Sequence, residues 1–236
     1  MDLKKVQFLD REIVISKEEE IIKKIMHSSK NKKTMNIFTL NPETWSKTRN
    51  MKFDKDVFWI PESVSVYYAM AFLGIKPLRI PGIDLVEKLL KGNKLNVVCW
   101  GGKDDDCRRL IENWKSLGFS AMMAGAFNGF SSNSKDVEVL IEKNNNVVLL
   151  VGKGAGLQEK EILHISKNLN SCISLGVGGS LDVFLGKKKR APRFMSRFGF
   201  EYLWRIFSEP RRLIRIMNSY PGFFIEVLKS KFCIKK

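Results

Sequence analysis

The stretch "NVVLLVGKGAGLQEKEILHISKNL" (residues 146–169) decides the fold. Val147 to Val151 form an unbroken apolar run of the length of one buried strand. Three glycines, Gly152, Gly154 and Gly156, then turn the chain, and residues 157–169 space their apolar side chains as an amphipathic helix does. The same order of strand, glycine or polar turn, and helix begins at residue 95. "LNVVCW" leads through Gly101-Gly102 into "DDDCRRLIENWKSLG", "SAMMAG" leads into "SKDVEVLIEKN", and "SCISLGVGG" leads into "SLDVFLG". Strands that are apolar on both faces, alternating with amphipathic helices, predict an α/β chain. The sheet is Rossmann-like and mostly parallel, with helices on both faces. Ligands of such sheets bind at the carboxyl ends of the strands, where these loops sit.

Upstream, "MNIFTL" (35–40) and "DVFWI" (56–60) read as buried strands, "SVSVYYAMAFLG" as a helix closed by Gly74, and "GIDLVEKLLKG" as a short helix with Asp84 near its start and Gly92 after its end. Residues 1–35 combine a short apolar segment with the lysine-rich, helix-like "KEEEIIKKIMHSSKNKK". After Gly186 the run "KKKR" breaks the rhythm. The predicted organisation is therefore an α/β core over 1–186 and a basic, aromatic helical appendage over 187–236.

Charge is concentrated in that appendage. The 236-residue chain carries +16, and residues 187–236, with 14 Lys and Arg against three Glu, hold +11 of it. The same segment holds 10 of the 25 aromatic residues, from Phe194 to Phe232. Basic residues opposite Phe, Trp and Leu suit a helix at an anionic bilayer surface, whereas a solvated nucleic-acid arm carries less apolar area. A helical pair packed on the core with its cations in water is the plainer alternative. Cys99, Cys107, Cys172 and Cys233 lack C-x-x-C spacing and read as reduced thiols, not a zinc site or a disulfide frame. No run of about 18 apolar residues is present, and Asp10, Arg11 and Glu12 interrupt the start, so neither a spanning helix nor a signal peptide is expected and the protein is expected to be cytoplasmic.

Four motifs bear on chemistry. Gly152, Gly154 and Gly156 fall short of a dinucleotide fingerprint because Leu157 occupies the third glycine position. A glycine turn before a helix still suits a phosphate or a sugar hydroxyl, and Gln158 in the first turn offers a donor and an acceptor. Asp104, Asp105 and Asp106 read as helix-start acids, with no further carboxylates to complete a metal site. His27 and His164 lie in unrelated helices, so proton transfer falls to a carboxylate. Glu62 follows a buried strand, and two readings stay open: first-turn charge on the next helix, or general base at the mouth of the cleft.

Taken in order, "TLN" (39–41), "IPES" (60–63), "RIPGIDL" (79–85), "GAFNGF" (125–130), "GKGAGLQE" (152–159) and the long run from "GVGGSLDVFLG" (176–186) through "KKKRAPRFMSRFGFEYLWRIFSEPRRLIR" (187–215) resemble the WecG/TagA/CpsF glycosyltransferases. The resemblance extends from about Met35 to the C-terminus and is most specific over 176–215. It implies an inverting transfer of a hexosamine-type sugar, N-acetylmannosamine-like or related, from a UDP-sugar to a polyprenyl-diphosphate-linked sugar in cell-surface polysaccharide biosynthesis. It also implies no metal and no cofactor, a tail that closes over the site at the inner face of the cell membrane, and possible homo-oligomers. By motif position it places Thr39, Asn41 and Glu62 in the catalytic pocket. Arg79, Gln158, Gly152, Gly154, Gly178 and Gly179 fall at the substrates, and Arg205, Arg212 and Arg215 at the diphosphate. Two departures stand out: Pro61-Glu62-Ser63 where the family has Pro-Asp-Gly, and Gly156-Leu157-Gln158-Glu159 where it has Pro-x-Gln-Glu.

On this reading Glu62 takes the acceptor proton, and arginines meet the charge that develops on the leaving nucleotide. Two other readings compete. The first, prompted by Glu62-Ser63, is a catalytically altered member that binds sugar nucleotide or lipid; the second is a nucleic-acid module using the basic tail.

Overall fold

The run Val147–Gly152 is a strand whose side chains alternate between two cores: Val147, Leu149 and Val151 on one side, Val148 and Leu150 on the other. A computed structural model describes residues 2–187, Trp204 and 212–233 of the chain. The described residues form an eight-stranded sheet of β1 (Lys5–Phe8), β2 (Arg11–Val14), β3 (Met35–Leu40), β4 (Val57–Pro61), β5 (Asn96–Gly101), β6 (Met122–Phe127), β7 (Val147–Gly152) and β8 (Ile173–Gly176). Its order is β1-β2-β4-β3-β8-β7-β5-β6, and every pairing is parallel except β1 with β2. The fold is thus α/β and mostly parallel, as the alternating pattern predicted.

Helices cover both faces. On one lie α1 (Glu18–Lys30), α4 (Gly82–Gly92), α5 (Asp104–Asn113) and α8 (Ser180–Phe184), contributing Ile21, Ile25, Leu85, Val86, Leu89, Leu110 and Leu181 to the core. On the other lie α2 (Pro42–Thr48), α3 (Val64–Phe72), α6 (Ser134–Glu142), α7 (Leu157–Asn168) and the C-terminal helix α9 (Arg212–Cys233), contributing Trp45, Val66, Met70, Val137, Ile162 and Phe223. α3 ends as predicted, with Gly74 in the left-handed region at φ 79°. α4 runs one residue further than predicted and takes in Gly92.

Residues 5–14 form an antiparallel hairpin on the sheet edge where the sequence suggested only a short apolar segment. The charges at 10–12 hid it. Arg11 is only 5% exposed; it donates to Asp10 and to Thr48 Oγ1 and stacks over Trp59, 4.5 Å from the ring centroid. Burial acts to raise the Asp10 carboxyl, but Arg11 and the Trp45 indole N–H outweigh it and hold the group below its usual range. A charge in a strand counts against burial until its partner is known, and here the hydrogen-bond acceptor Thr48 lies 37 residues away and the Trp59 ring further still.

Cys99, Cys107 and Cys172 are free and buried, and the side chain of Cys233 lies outside what is described. Asp104, Asp105 and Asp106 start α5: the Asp106 carboxylate accepts from Lys103 N (2.9 Å) and pairs with Lys187, and Asp104 accepts from Asn128 (2.9 Å). Among the described residues, no helix is long and apolar enough to cross a membrane.

Candidate active site

The sheet sets the site. Parallel pairing brings the carboxyl ends of β4, β3, β8 and β7 side by side, about 14 Å across at ~4.8 Å per strand. Next to them, β7 and β5 are neighbours whose helices leave towards opposite edges, to β8 and β6, and on opposite faces. That is a topological switch point, where a cleft opens above a doubly wound sheet.

Glu62 sits just beyond β4. Its backbone N–H donates to Leu40 O (3.1 Å), and its own carbonyl accepts from Arg79 Nε (3.1 Å), so the peptide is pinned between β3 and the segment after α3. The side chain accepts from Asn41 Nδ2 (3.1 Å) through Oε2. Asn41 does two jobs, because its Oδ1 also accepts from Thr44 N (2.9 Å) and so caps α2. Ser63, not Glu62, caps α3, accepting from Val66 N, and the first turn of α3 holds no acid. The reading of Glu62 as first-turn charge therefore has no support in the geometry. Its carboxylate is turned towards Asn41 and Gly82.

Thr39 completes the cluster. It is the one residue of β3 that is not buried. Gly82, the first residue of α4, packs against it: a Cβ added there would lie 2.8 Å from Thr39 Cγ2 and 3.4 Å from Glu62 Oε1. Gly82 was not among the sequence-predicted site residues, although it lies within "RIPGIDL". Its signal is that only glycine lets helix and strand end approach so closely. Thr39, Asn41, Glu62 and Arg79 are all half-buried, open to solvent yet held by hydrogen bonds or close contacts.

The second group lies over β7 and β8. Gln158 is 3% exposed; its Oε1 accepts from Gly178 N (3.1 Å), and its Nε2 donates to Glu159 (2.8 Å). Glu159 is fully buried, and its other oxygen accepts from Gly156 N. Burial pushes the Glu159 carboxyl up, against these hydrogen bonds and the charge of Lys47. Gln158 thus ties the glycine loop after β7 to the loop after β8. A Cβ at Gly152 would lie 2.6 Å from Leu181 Cδ1 and 3.1 Å from Gly178 O, whereas Gly154, at φ 86°, faces open space. Gly178 also has positive φ (46°), and Gly179 precedes α8 as its cap. Lys153, unremarked in the sequence, anchors the same loop: its ammonium lies 3.8 Å from the Trp100 ring centroid and bonds Glu161 (3.0 Å).

The two groups are linked through α2, whose Lys47 Cβ would lie 3.1 Å from a Cβ at Gly156. Of the three arginines assigned to the diphosphate, Arg205 lies outside the described residues, as does the side chain of Arg212; Arg215 is exposed on the first turn of α9.

Strand-end loops of this kind, with a half-buried carboxylate after β4 and a glycine turn after β7 beside the switch point, define a doubly wound α/β protein whose polar groups line its carboxyl edge. The chain belongs to the glycosyl transferase WecG/TagA/CpsF family, whose model matches residues 6–236 and so takes in the β1–β2 hairpin. It is similar to the N-acetylglucosaminyldiphosphoundecaprenol N-acetyl-beta-D-mannosaminyltransferase of Bacillus spizizenii, 30% identical over 203 residues, 82% of this chain and 78% of that protein. Proteins of the same description from Bacillus subtilis (31% identical, 65% of this chain, 60% of that one) and Staphylococcus aureus MRSA252 (30%, 67% and 63%) are also similar. In these last two cases the matched region spans less than two thirds of the relative.

Proposed function

We propose that the protein moves a hexosamine-type sugar, N-acetylmannosamine-like, from a UDP-sugar to a polyprenyl-diphosphate-linked sugar, with inversion at the anomeric carbon. The observation that carries this reading is the half-buried Glu62 carboxylate, aimed by Asn41 and backed by Arg79, Thr39 and Gly82 at the carboxyl edge of the sheet. The relatives' names, which specify a diphosphoundecaprenol acceptor and a mannosaminyl transfer, support the substrate class.

In this mechanism Glu62 accepts the proton of the acceptor hydroxyl as that oxygen attacks the anomeric carbon and the bond to the UDP oxygen breaks. Asn41 keeps one carboxylate oxygen in place, leaving Oε1, on the Thr39 and Gly82 side, to receive the proton. The departing diphosphate takes up negative charge, which Arg205, Arg212 and Arg215 neutralise by forked hydrogen bonds. Residues 187–236 work at the cytoplasmic face of the membrane, where the acceptor lipid resides. The outer surface of α9 supports this, with Met217 and Phe232 each 70% exposed and Ile214 62% exposed.

The test is mass spectrometry of the product formed from UDP-N-acetylmannosamine and a prenyl-diphosphate N-acetylglucosamine. Glu62→Gln should lower turnover by roughly 10²–10⁴. An unchanged rate would remove Glu62 from the mechanism. Donor binding by the native protein without any transfer would favour the catalytically altered member suggested by Pro61-Glu62-Ser63.

A further inference from the structure

Helix α9 carries two apolar faces. The inner one, Phe223 and Val227 with Ser219, is buried. At 3.6 residues per turn, Ile214, Met217, Ile225, Leu228 and Phe232 fall on the opposite side, and each is about half exposed or more. One flank of that outer stripe holds Arg215, Asn218 and Lys229. The other flank meets α3, where the Lys231 ammonium lies 5.5 Å from the Phe72 ring centroid.

α3 is itself unusual. Its nine residues, "VSVYYAMAF", include no charge, although only Val66, Ala69 and Met70 are buried. A helix with one face in water normally turns polar residues outwards. This one turns out Tyr68, 65% exposed, and Phe72, 44% exposed, one turn apart, with Phe72 beside the flank of α9 that carries Lys231 and, one heptad earlier, the exposed Phe224.

We propose that α3 is a second lipid-contacting element: Tyr68 and Phe72 enter the headgroup layer of an anionic bilayer beside the outer stripe of α9. The inference rests on the membrane reading given above and extends it from the appendage into the catalytic core. Charge selects the occupant. Lys229, Lys231 and Arg215 border the stripe, and the segment from 187 onwards carries +11, which complements anionic lipid and opposes a second copy of the same surface. Tyrosine at the margin of an apolar patch suits the bilayer interface, since its ring is apolar and its hydroxyl stays wet.

The consequence is a short span between the active site and the lipid. Ser63 caps α3 directly after Glu62, and nine residues at 1.5 Å place Phe72 about 14 Å further along the axis. Whatever the tilt of α3, Glu62 then lies no more than about one short helix from the lipid that carries the acceptor.

The experiment compares the full-length protein with Tyr68→Ser/Phe72→Ser by co-sedimentation with vesicles of 30% phosphatidylglycerol in phosphatidylcholine. Transfer is followed in parallel to a full-length polyprenyl acceptor in those vesicles and to a short-chain, water-soluble acceptor. The expected result is a vesicle affinity lowered roughly tenfold or more, with slower transfer to the vesicle acceptor and unaltered turnover on the soluble one. Vesicle affinity within twofold of native overturns the proposal. So does a change of oligomeric state without a change in vesicle binding, which would make this a contact between copies. A thermal midpoint lowered by many degrees at unchanged vesicle affinity overturns it too, since the rings would then pack within the chain. If neither acceptor is glycosylated but the double variant still loses vesicle binding, the glycosyl-transfer reading fails and the lipid surface stands.

Discussion

Gly82 shows how closely the candidate site is packed at the level of single residues. Replacing a helix-start glycine with alanine ordinarily favours the helix by up to about 1 kcal/mol, but here the new methyl would sit 2.8 Å from Thr39 Cγ2 and press towards Glu62. Gly82→Ala should therefore reduce kcat at least tenfold while the thermal midpoint moves little; an active Gly82→Ala would mean that Thr39 and Glu62 are not held as a unit. Glu159 makes a different prediction. Burial raises its folded pKa above the ordinary value of 4.5, so its contribution to stability is full below that value and is lost as pH rises through the folded pKa. Gln at this position stays neutral throughout, so the stability of Glu159→Gln relative to the parent should increase from pH 4.5 upwards. Thermal melts of both proteins across pH 4.5–8 check this, and parallel curves would refute it. At this scale the sequence exposed residue types but not pairings. Thr39, Asn41, Glu62 and Arg79 were legible through family motifs. Gly82 and Lys153 were not, because their roles depend on what lies beside them in space.

At the scale of elements, the largest anchor of α9 is one ring. Phe223 is fully buried against Trp45, with centroids 5.6 Å apart, and against Phe8 at 6.3 Å, so the C-terminal helix rests on α2 and on the hairpin. α2 is also the helix that Asn41 caps while it holds Glu62. Phe223→Ala should cost about 3–5 kcal/mol if the helix stays docked, measured by denaturant unfolding followed by circular dichroism. A loss below 1 kcal/mol would mean that α9 packs only loosely on the core. The helices and parallel strands were largely readable from apolar periodicity, since each satisfies its own backbone or buries both faces. The β1–β2 hairpin was not, because Arg11 becomes a buried strand residue only through Asp10, Thr48 and Trp59.

For the whole molecule, the uneven charge is the governing feature. With +11 of +16 lying beyond residue 186, the protein is polarised, and its basic end is joined to the core by Lys187 pairing with Asp106. If those cations meet the departing nucleotide, removing Arg205, Arg212 and Arg215 together should abolish transfer at saturating donor while the core remains folded by circular dichroism. Undiminished product from the triple variant, or strict dependence of the native protein on a divalent cation, would displace arginine from that role.

The chain's local chemistry was enough to determine a mostly parallel sheet between two helical layers, glycine turns at its carboxyl edge and a basic, aromatic end. Periodicity and turn residues act over a few positions, and a single sequence displays them. Only the tertiary structure decided that Asn41 aims Glu62 across 21 residues, that Gln158 ties two loops together across 20, and that Phe223 is core while its neighbour Phe224 is surface. Those outcomes depend on which strand ends the parallel sheet sets side by side and on which face of a helix meets it, and both are fixed by contacts between residues far apart in the chain.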